Sequence, residues 1–187
     1  MEAAKKKKIL FWIAITVGCG ILIVVLWYLS FIGQFHRYRD DMYKFTIRFP
    51  REWQYAVHPQ PGGGAFAVYR PYHRGEEGFR ETVNITVQPL PANIATIRDL
   101  TNTVEAQMKA VFNNLKVDQS VPILFGERRG WMVIFSVEKP DAVKIMTVWT
   151  IRDAEKAYIL TYMARTENYS KYLPLVEYMI KTFKTIK

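Results

Sequence analysis

The residues best able to do chemistry are few and scattered along the chain. Three histidines stand at His36, His58 and His73, and none has the i,i+4 helical spacing that brings two imidazoles to one metal ion. The single cysteine, Cys19, lies inside an apolar run, so the rest of the chain has no disulfide, thiol nucleophile or cysteine ligand. Ser30, Ser120, Ser136 and Ser170 are the serines, and none sits in the Gly-x-Ser-x-Gly turn that exposes a nucleophile. Adjacent acids occur at Asp40-Asp41 and Glu76-Glu77 in polar stretches that favour solvation; a glycosidase pair would need acids converging from separate elements. Gly62-Gly63-Gly64 lacks the Lys-Ser/Thr that follows a phosphate cradle and opens onto no helix, so it reads as a hairpin turn. This inventory predicts no metal, no cofactor and no enzyme.

A different chemistry gathers between 69 and 80, where Tyr69, Arg70, Tyr72, His73, Arg74, Phe79 and Arg80 fall in one connecting segment. Tyrosine and arginine combine contact area with directed hydrogen bonds, which is why they anchor interfaces. These seven residues are the candidate interaction loop. The competing reading is a long solvated hairpin loop whose aromatics fold back onto the sheet. Arg128-Arg129, at another turn, is a lesser candidate for meeting lipid phosphates.

The elements that must position this loop follow from periodicity. Tyr43, Phe45, Ile47 and Phe49 alternate with polar residues and stop at Pro50, predicting a half-buried strand, with Trp53 plugging the core. Residues 65–69 and the alternation Val83, Ile85, Val87 predict strands on either side of the candidate loop. Ile97, Leu100, Val104, Met108, Val111 and Leu115 recur at helical steps and predict an amphipathic helix over 97–115, with Thr96 and Asp99 as a capping box and Asn113-Asn114 closing its far end. Four strands follow, marked by Val121 to Phe125, Trp131 to Val137, Val143 to Trp149 and 157–163, joined by turns short enough for an antiparallel meander. Tyr169 to Phe183 predicts a last helix in which Pro174 either begins the regular part or kinks it. Two apolar helix stripes and an antiparallel sheet give an α+β fold with helices packed on the sheet. Asn84-Ile85-Thr86 and Asn168-Tyr169-Ser170 satisfy the glycosylation rule; both are taken as chance.

With 187 residues, half of them hydrophobic, the chain can build one well-packed domain. Ile9 to Ile32 is an uncharged run of 24 residues, about 36 Å as a helix, with Trp12, Trp27 and Tyr28 at headgroup depth. It is too long for a cleaved secretory signal. Val17-Gly18-Cys19 resembles a lipoprotein site, but the apolar run continues to Leu29, so an ordinary cysteine in a transmembrane helix is the expectation. Lys5 to Lys8 precede the run, whereas Arg37 and Arg39 beyond it are offset by Asp40 and Asp41. The positive-inside rule then places residues 1–8 in the cytoplasm, 9–32 in the membrane through its lipid contacts, 33–41 as a short linker and 42–187 as an extracytoplasmic domain, with a bacterial inner membrane the setting expected. Without the leader's charges, 22 basic residues remain against 16 acidic, interleaved along the chain, so no nucleic-acid partner is expected.

The order of these elements resembles the PsbP-like family of the Mog1/PsbP fold over about residues 40–183. The resemblance rests on the strand Tyr43-Lys44-Phe45-Thr46-Ile47-Arg48-Phe49-Pro50-Arg51-Glu52-Trp53, on Val83 to Val87, on 157–164, on Tyr172-Leu173-Pro174 and on Met179 to Phe183. It implies an α/β/α sandwich and a non-enzymatic module, since relatives include an extrinsic photosystem II subunit, a binder of the Ran GTPase and bacterial envelope lipoproteins. The anchor in place of a Ser-rich transit peptide departs from the photosynthetic branch. The shared residues are fold residues and carry no binding site onto particular positions. The expectation is an anchored interaction or assembly module docking on an envelope protein. The alternatives are a carrier or sensor holding a small amphiphile or sugar between sheet and helix, or an enzyme whose groups converge only in three dimensions.

Overall fold

A computed structural model describes residues 2–60, 64–72, 78–91, 94, 96–112, 114–137, 142–153 and 155–186. The chain divides into two units, Met1–His36 and Arg37–Lys187. The first is the helix α1, Glu2–Gly33. It starts seven residues before the apolar run because Glu, Ala and Lys are themselves strong helix formers. Within it Thr16–Gly33 is long and apolar enough to cross a membrane, and the side chains of Ile21 to Leu26 are exposed.

The second unit is organised on two sheets. Strand β1 (Phe35–Asp40) lies in the segment expected to be a linker, β2 is Phe45–Pro50, and the turn between them passes through Lys44 at φ 61°. Asp40 caps that turn, accepting from the Tyr43 amide at 2.8 Å and from the Tyr38 hydroxyl at 3.0 Å. The two-residue strand β10, at Lys184–Thr185, completes a three-stranded sheet in the order β1-β2-β10.

The large sheet takes β3 (Gln54–Gln60), β4 (Gly64–Tyr69), β5 (Thr82–Pro89), β6 (Leu115–Phe125), β7 (Arg128–Val137), β8 (Val143–Arg152) and β9 (Lys156–Arg165) in the order β3-β4-β5-β9-β8-β7-β6. Every pairing is antiparallel. The expected meander is present as β6 to β9. Gln60 pairs with Gly64, so the glycine run joins a hairpin; Gly62 and Gly63 themselves lie outside the described residues.

The two helices of this unit cover opposite faces of the large sheet, because alternate residues of a strand point to opposite sides. On one face Leu100 and Val104 of α2 (Ile97–Val111) bury with Val133, Phe135, Ile145 and Trp149. On the other Val176, Met179 and Ile180 of α3 (Thr166–Thr182) bury with Met146, Val148, Tyr158, Leu160 and Tyr162, together with Phe45, Ile47 and Phe49 of the small sheet. The arrangement is an α/β/α sandwich. Phe183 joins the two sheets, its ring stacked on Phe125 at 4.2 Å and lying 5.8 Å from Phe45.

Some boundaries differ from those the sequence predicts. α2 carries the Thr96–Asp99 capping box but ends at Val111, and Leu115 opens β6 instead of closing the helix. Val111, placed by its spacing on the buried stripe, is 70% exposed, because the helix ends there and the strand leads away. The cap is Phe112, whose amide bonds Met108 O at 3.0 Å; Asn113 is outside the described residues. Thr46 is buried, so β2 is enclosed on both sides and not half-buried. α3 begins at Thr166 with Pro174 inside it.

Candidate interaction surface

The candidate loop leaves and rejoins the sheet between β4 and β5, whose ladder ends with Tyr69 opposite Thr82. One residue further, the Arg70 amide donates to Glu81 O at 3.0 Å, and the two side chains meet as an ion pair, Arg70 Nε to Glu81 Oε2 at 2.5 Å. Both are buried, Glu81 completely. The second carboxylate oxygen accepts from Asn168 Nδ2 of α3 at 2.8 Å. The guanidinium also donates to Pro71 O at 3.0 Å and lies 5.7 Å from the Tyr172 ring centre. Burial works to raise the Glu81 pKa, but the hydrogen bond from Arg70, the backbone, Asn168 and the charge of Arg70 outweigh it and hold the carboxyl below its ordinary value. Arg70 is therefore part of the fold and not of an accessible surface: its partners Glu81 and Tyr172 are 11 and 102 residues away in sequence, and Asn168, which completes the carboxylate, is 87 from Glu81, beyond the reach of local pattern. The signal that could have found them is the Glu facing Arg across a hairpin stem, and the Asn at the start of the last helix. Asn168 is thereby a structural donor to the buried carboxylate.

Outside this pinned stem the loop presents a stacked group. The Arg80 guanidinium lies 4.6 Å from the Tyr72 ring centre and 5.0 Å from that of Tyr69, and donates to Gln54 Oε1 on β3 at 3.0 Å. Tyr72 donates across the loop to Gly78 O at 2.8 Å, and Gly78 takes φ 97°, a conformation glycine adopts without strain. Tyr72 is 49% exposed, while Tyr69, Phe79 and Arg80 are half-buried. The structure thus brings Tyr69, Tyr72 and Arg80 together, sends Arg70 inward, and describes neither His73 nor Arg74. The result is an aromatic and cationic patch on a stem that has little freedom left to lose, which lowers the entropic cost of docking.

A concave feature lies beside α2. Pro89, Leu90, Pro91 and Ile94 face Leu100 and Val104 of α2 across a groove of about 410 Å³, with Thr103, Gln107 and Gln88 at its margin. No cluster of three metal-ligating side chains exists among the described residues. The serines that meet polar side chains do so in sheet-surface links: Ser120 accepts from Trp131 Nε1 at 2.9 Å, and Ser136 donates to Asp118, which also pairs with Lys144 at 3.6 Å.

Solved structures with this arrangement exist. The cyanobacterial PsbP protein CyanoP of Synechocystis superposes with a TM-score of 0.62 at 13% identity, over 81% of this chain and 92% of that one. The chain has the Mog1/PsbP fold. LpqN, involved in cell envelope biogenesis of Mycobacterium tuberculosis, shares it with a TM-score of 0.62 at 10% identity, over 82% and 91% of the two chains. So does the Ran-binding protein Mog1p of Saccharomyces cerevisiae, with a TM-score of 0.59 at 9% identity over 82% and 96%. No family model matches the sequence, and no curated protein matches it by sequence. The resemblance carried by Tyr43 to Trp53 holds at the level of the Mog1/PsbP fold, and identities this low speak to fold alone.

Proposed function

We propose that this chain is a membrane-anchored, non-catalytic interaction module whose Mog1/PsbP domain docks on a protein of the cell envelope through the Tyr69–Tyr72–Phe79–Arg80 patch. The observation that carries the reading is the patch itself: an exposed Tyr72 stacked with the half-buried Arg80 on a stem fixed by a buried ion pair. Two proteins of like fold support it by what they do, one binding Ran and the other serving envelope biogenesis. In this reading residues 9–32 span the membrane, the lysines at 5–8 stay in the cytoplasm, and the domain stands outside a bacterial inner membrane. Its partner is recognised by shape and by carboxylate or carbonyl groups that meet Arg80.

Cross-linking in native membranes, followed by mild detergent extraction and mass spectrometry, tests the proposal. Full-length protein should yield reproducible neighbours that a Tyr72→Ala/Arg80→Ala variant loses while its thermal midpoint stays within a few degrees. The same neighbours from both proteins would remove the patch from the proposal.

The groove beside α2 favours a second reading, a carrier for a small amphiphile, since an apolar floor with a few polar groups at the rim is the usual form of such a site. Displacement of a fluorescent fatty-acid probe from full-length protein, blocked by Val104→Trp, would support it; no saturable binding would dismiss it.

A further inference from the structure

On the three-stranded sheet a cleft of about 360 Å³ is lined by Arg37 of β1, Thr46, Ile47 and Arg48 of β2, Lys181 and Thr182 at the end of α3, and Lys184 of β10. Four of these seven residues are cationic and none is a carboxylate. The nearest acid linked to them is Glu127, which pairs with Lys184 from outside the lining. Arg48 donates to Tyr178 Oη at 3.3 Å, and its amide donates to Thr182 Oγ1 at 3.2 Å, so its backbone and guanidinium are held in place. Among the described residues Arg37, Arg48 and Lys181 form no ion pair.

Arg37, Arg48 and Lys181, gathered with no ion-pair partner of their own among the described residues, repel one another, and the simplest group that relieves the repulsion is an anion placed among them. A guanidinium offers paired N–H donors that match two oxygens of a phosphate, and an ammonium adds a point charge. The cleft is roomier than a bare ion needs and accommodates an esterified one. We propose that this cleft binds a phosphate group, with Arg37 and Arg48 as the oxygen-binding donors and Lys181 and Lys184 supplying charge.

Position in the chain gives the site a natural source. Only three residues separate Arg37 from Gly33, the last residue of the apolar helix, so a phospholipid headgroup is one bearer of such a phosphate and a free phosphate ester the other. The chemistry of the cleft is the same for both, and the cleft shares no lining residue with the docking patch of Tyr69, Tyr72, Phe79 and Arg80.

Full-length protein in neutral maltoside micelles, examined by native mass spectrometry, separates the possibilities. It is titrated in one arm with dihexanoyl phosphatidylglycerol and in another with inorganic phosphate. Each is repeated with Arg37→Gln/Lys181→Gln, both exposed positions, and with Arg98→Gln/Lys109→Gln, which removes the same charge from α2. The expected result is one retained phosphate-bearing molecule, with affinity falling at least tenfold in the cleft variant and less than twofold in the α2 variant. Stronger retention of the lipid assigns a headgroup, and retention of inorganic phosphate alone assigns a free phosphate. Equal losses in both variants, or no retention by the unaltered protein at millimolar concentration, would overturn the proposal. An unchanged thermal midpoint of the cleft variant confirms that its fold is intact.

Discussion

Arg70 and Glu81 face each other across the first step beyond the β4–β5 ladder, their side chains 2.5 Å apart and almost without solvent. A pair so placed is costly to break singly, because the surviving charge stays buried and unpaired. Glu81→Ala should lower unfolding free energy by about 3–5 kcal/mol, whereas Arg70→Met/Glu81→Leu should recover a large part of that loss. Denaturant titrations of the three proteins check this. Recovery below about 1 kcal/mol in the double variant would show that the carboxylate serves mainly Asn168.

The same pair sets an acid limb. Glu81 has a folded pKa below its ordinary value of 4.5, so its stabilisation is fully present above the unfolded value and is lost as pH falls through the folded one. The unaltered protein should lose stability from about pH 4.5 downwards, and Glu81→Gln should start less stable and show a shallower decline over that window. Thermal midpoints measured between pH 3 and 7, about the range in which carboxylates titrate, decide the matter.

How far this architecture was legible in the sequence depends on the range of the forces involved. Thr96 and Asp99 announce the start of α2 because a capping box is a contact over three residues, and the alternation of Val83, Ile85 and Val87 announces β5 because a half-buried strand writes period two into its own residues. β1 left no such trace: His36, Arg37 and Arg39 are exposed, and the strand owes its existence to a partner strand and to the Asp40 cap. The candidate loop was visible as a concentration of Tyr and Arg. That Arg70 turns inward while Arg80 stacks outward is decided by Glu81, Asn168 and Gln54, which no local window contains.

Gly126 should tolerate no side chain. It takes φ 61° in the two-residue turn between β6 and β7, its amide donates to Ile180 O at 3.0 Å, and an added Cβ would come within 1.9 Å of Phe183 O. Backbone cannot step aside as a flexible side chain would, so Gly126→Ala combines a left-handed strain with displacement of the end of α3. A loss of at least about 2 kcal/mol is expected, with the largest rise in amide exchange at 179–183, and hydrogen exchange reads both.

Arg80 should matter more to binding than to folding. Its two ring contacts and its bond to Gln54 lie at a partly wet surface, where a cation–π contact contributes about 0.5–1 kcal/mol. Arg80→Ala is expected to cost about 1 kcal/mol of stability yet remove most of the cross-linked partner. Arg80→Lys keeps charge but not the planar stack, and should retain stability while recovering only part of the partner signal. Equal partner recovery with lysine and arginine would mean that charge alone is read.

Tyr169 offers the opposite case, a buried polar atom whose removal should do little harm. Its ring stacks on Tyr162 at 5.2 Å and lies 5.7 Å from the Lys144 ammonium, but its hydroxyl has no hydrogen-bond partner among the described residues. Burial, with the charges of Glu177 and Asp118, pushes its pKa from 10.0 up to about 12. The neutral phenol is thus favoured in the folded state. Stability from this group is whole below the unfolded value near 10.0 and is lost as pH rises through about 12. Tyr169→Phe keeps the stacked ring and deletes the unpaired hydroxyl, so at neutral pH its stability should stay within about 1 kcal/mol of the unaltered protein or exceed it. Between pH 10 and 12 the variant should lose less stability than the parent. A neutral-pH loss above about 2 kcal/mol would show that the hydroxyl has a partner after all, the size expected when a buried donor's hydrogen bond is broken.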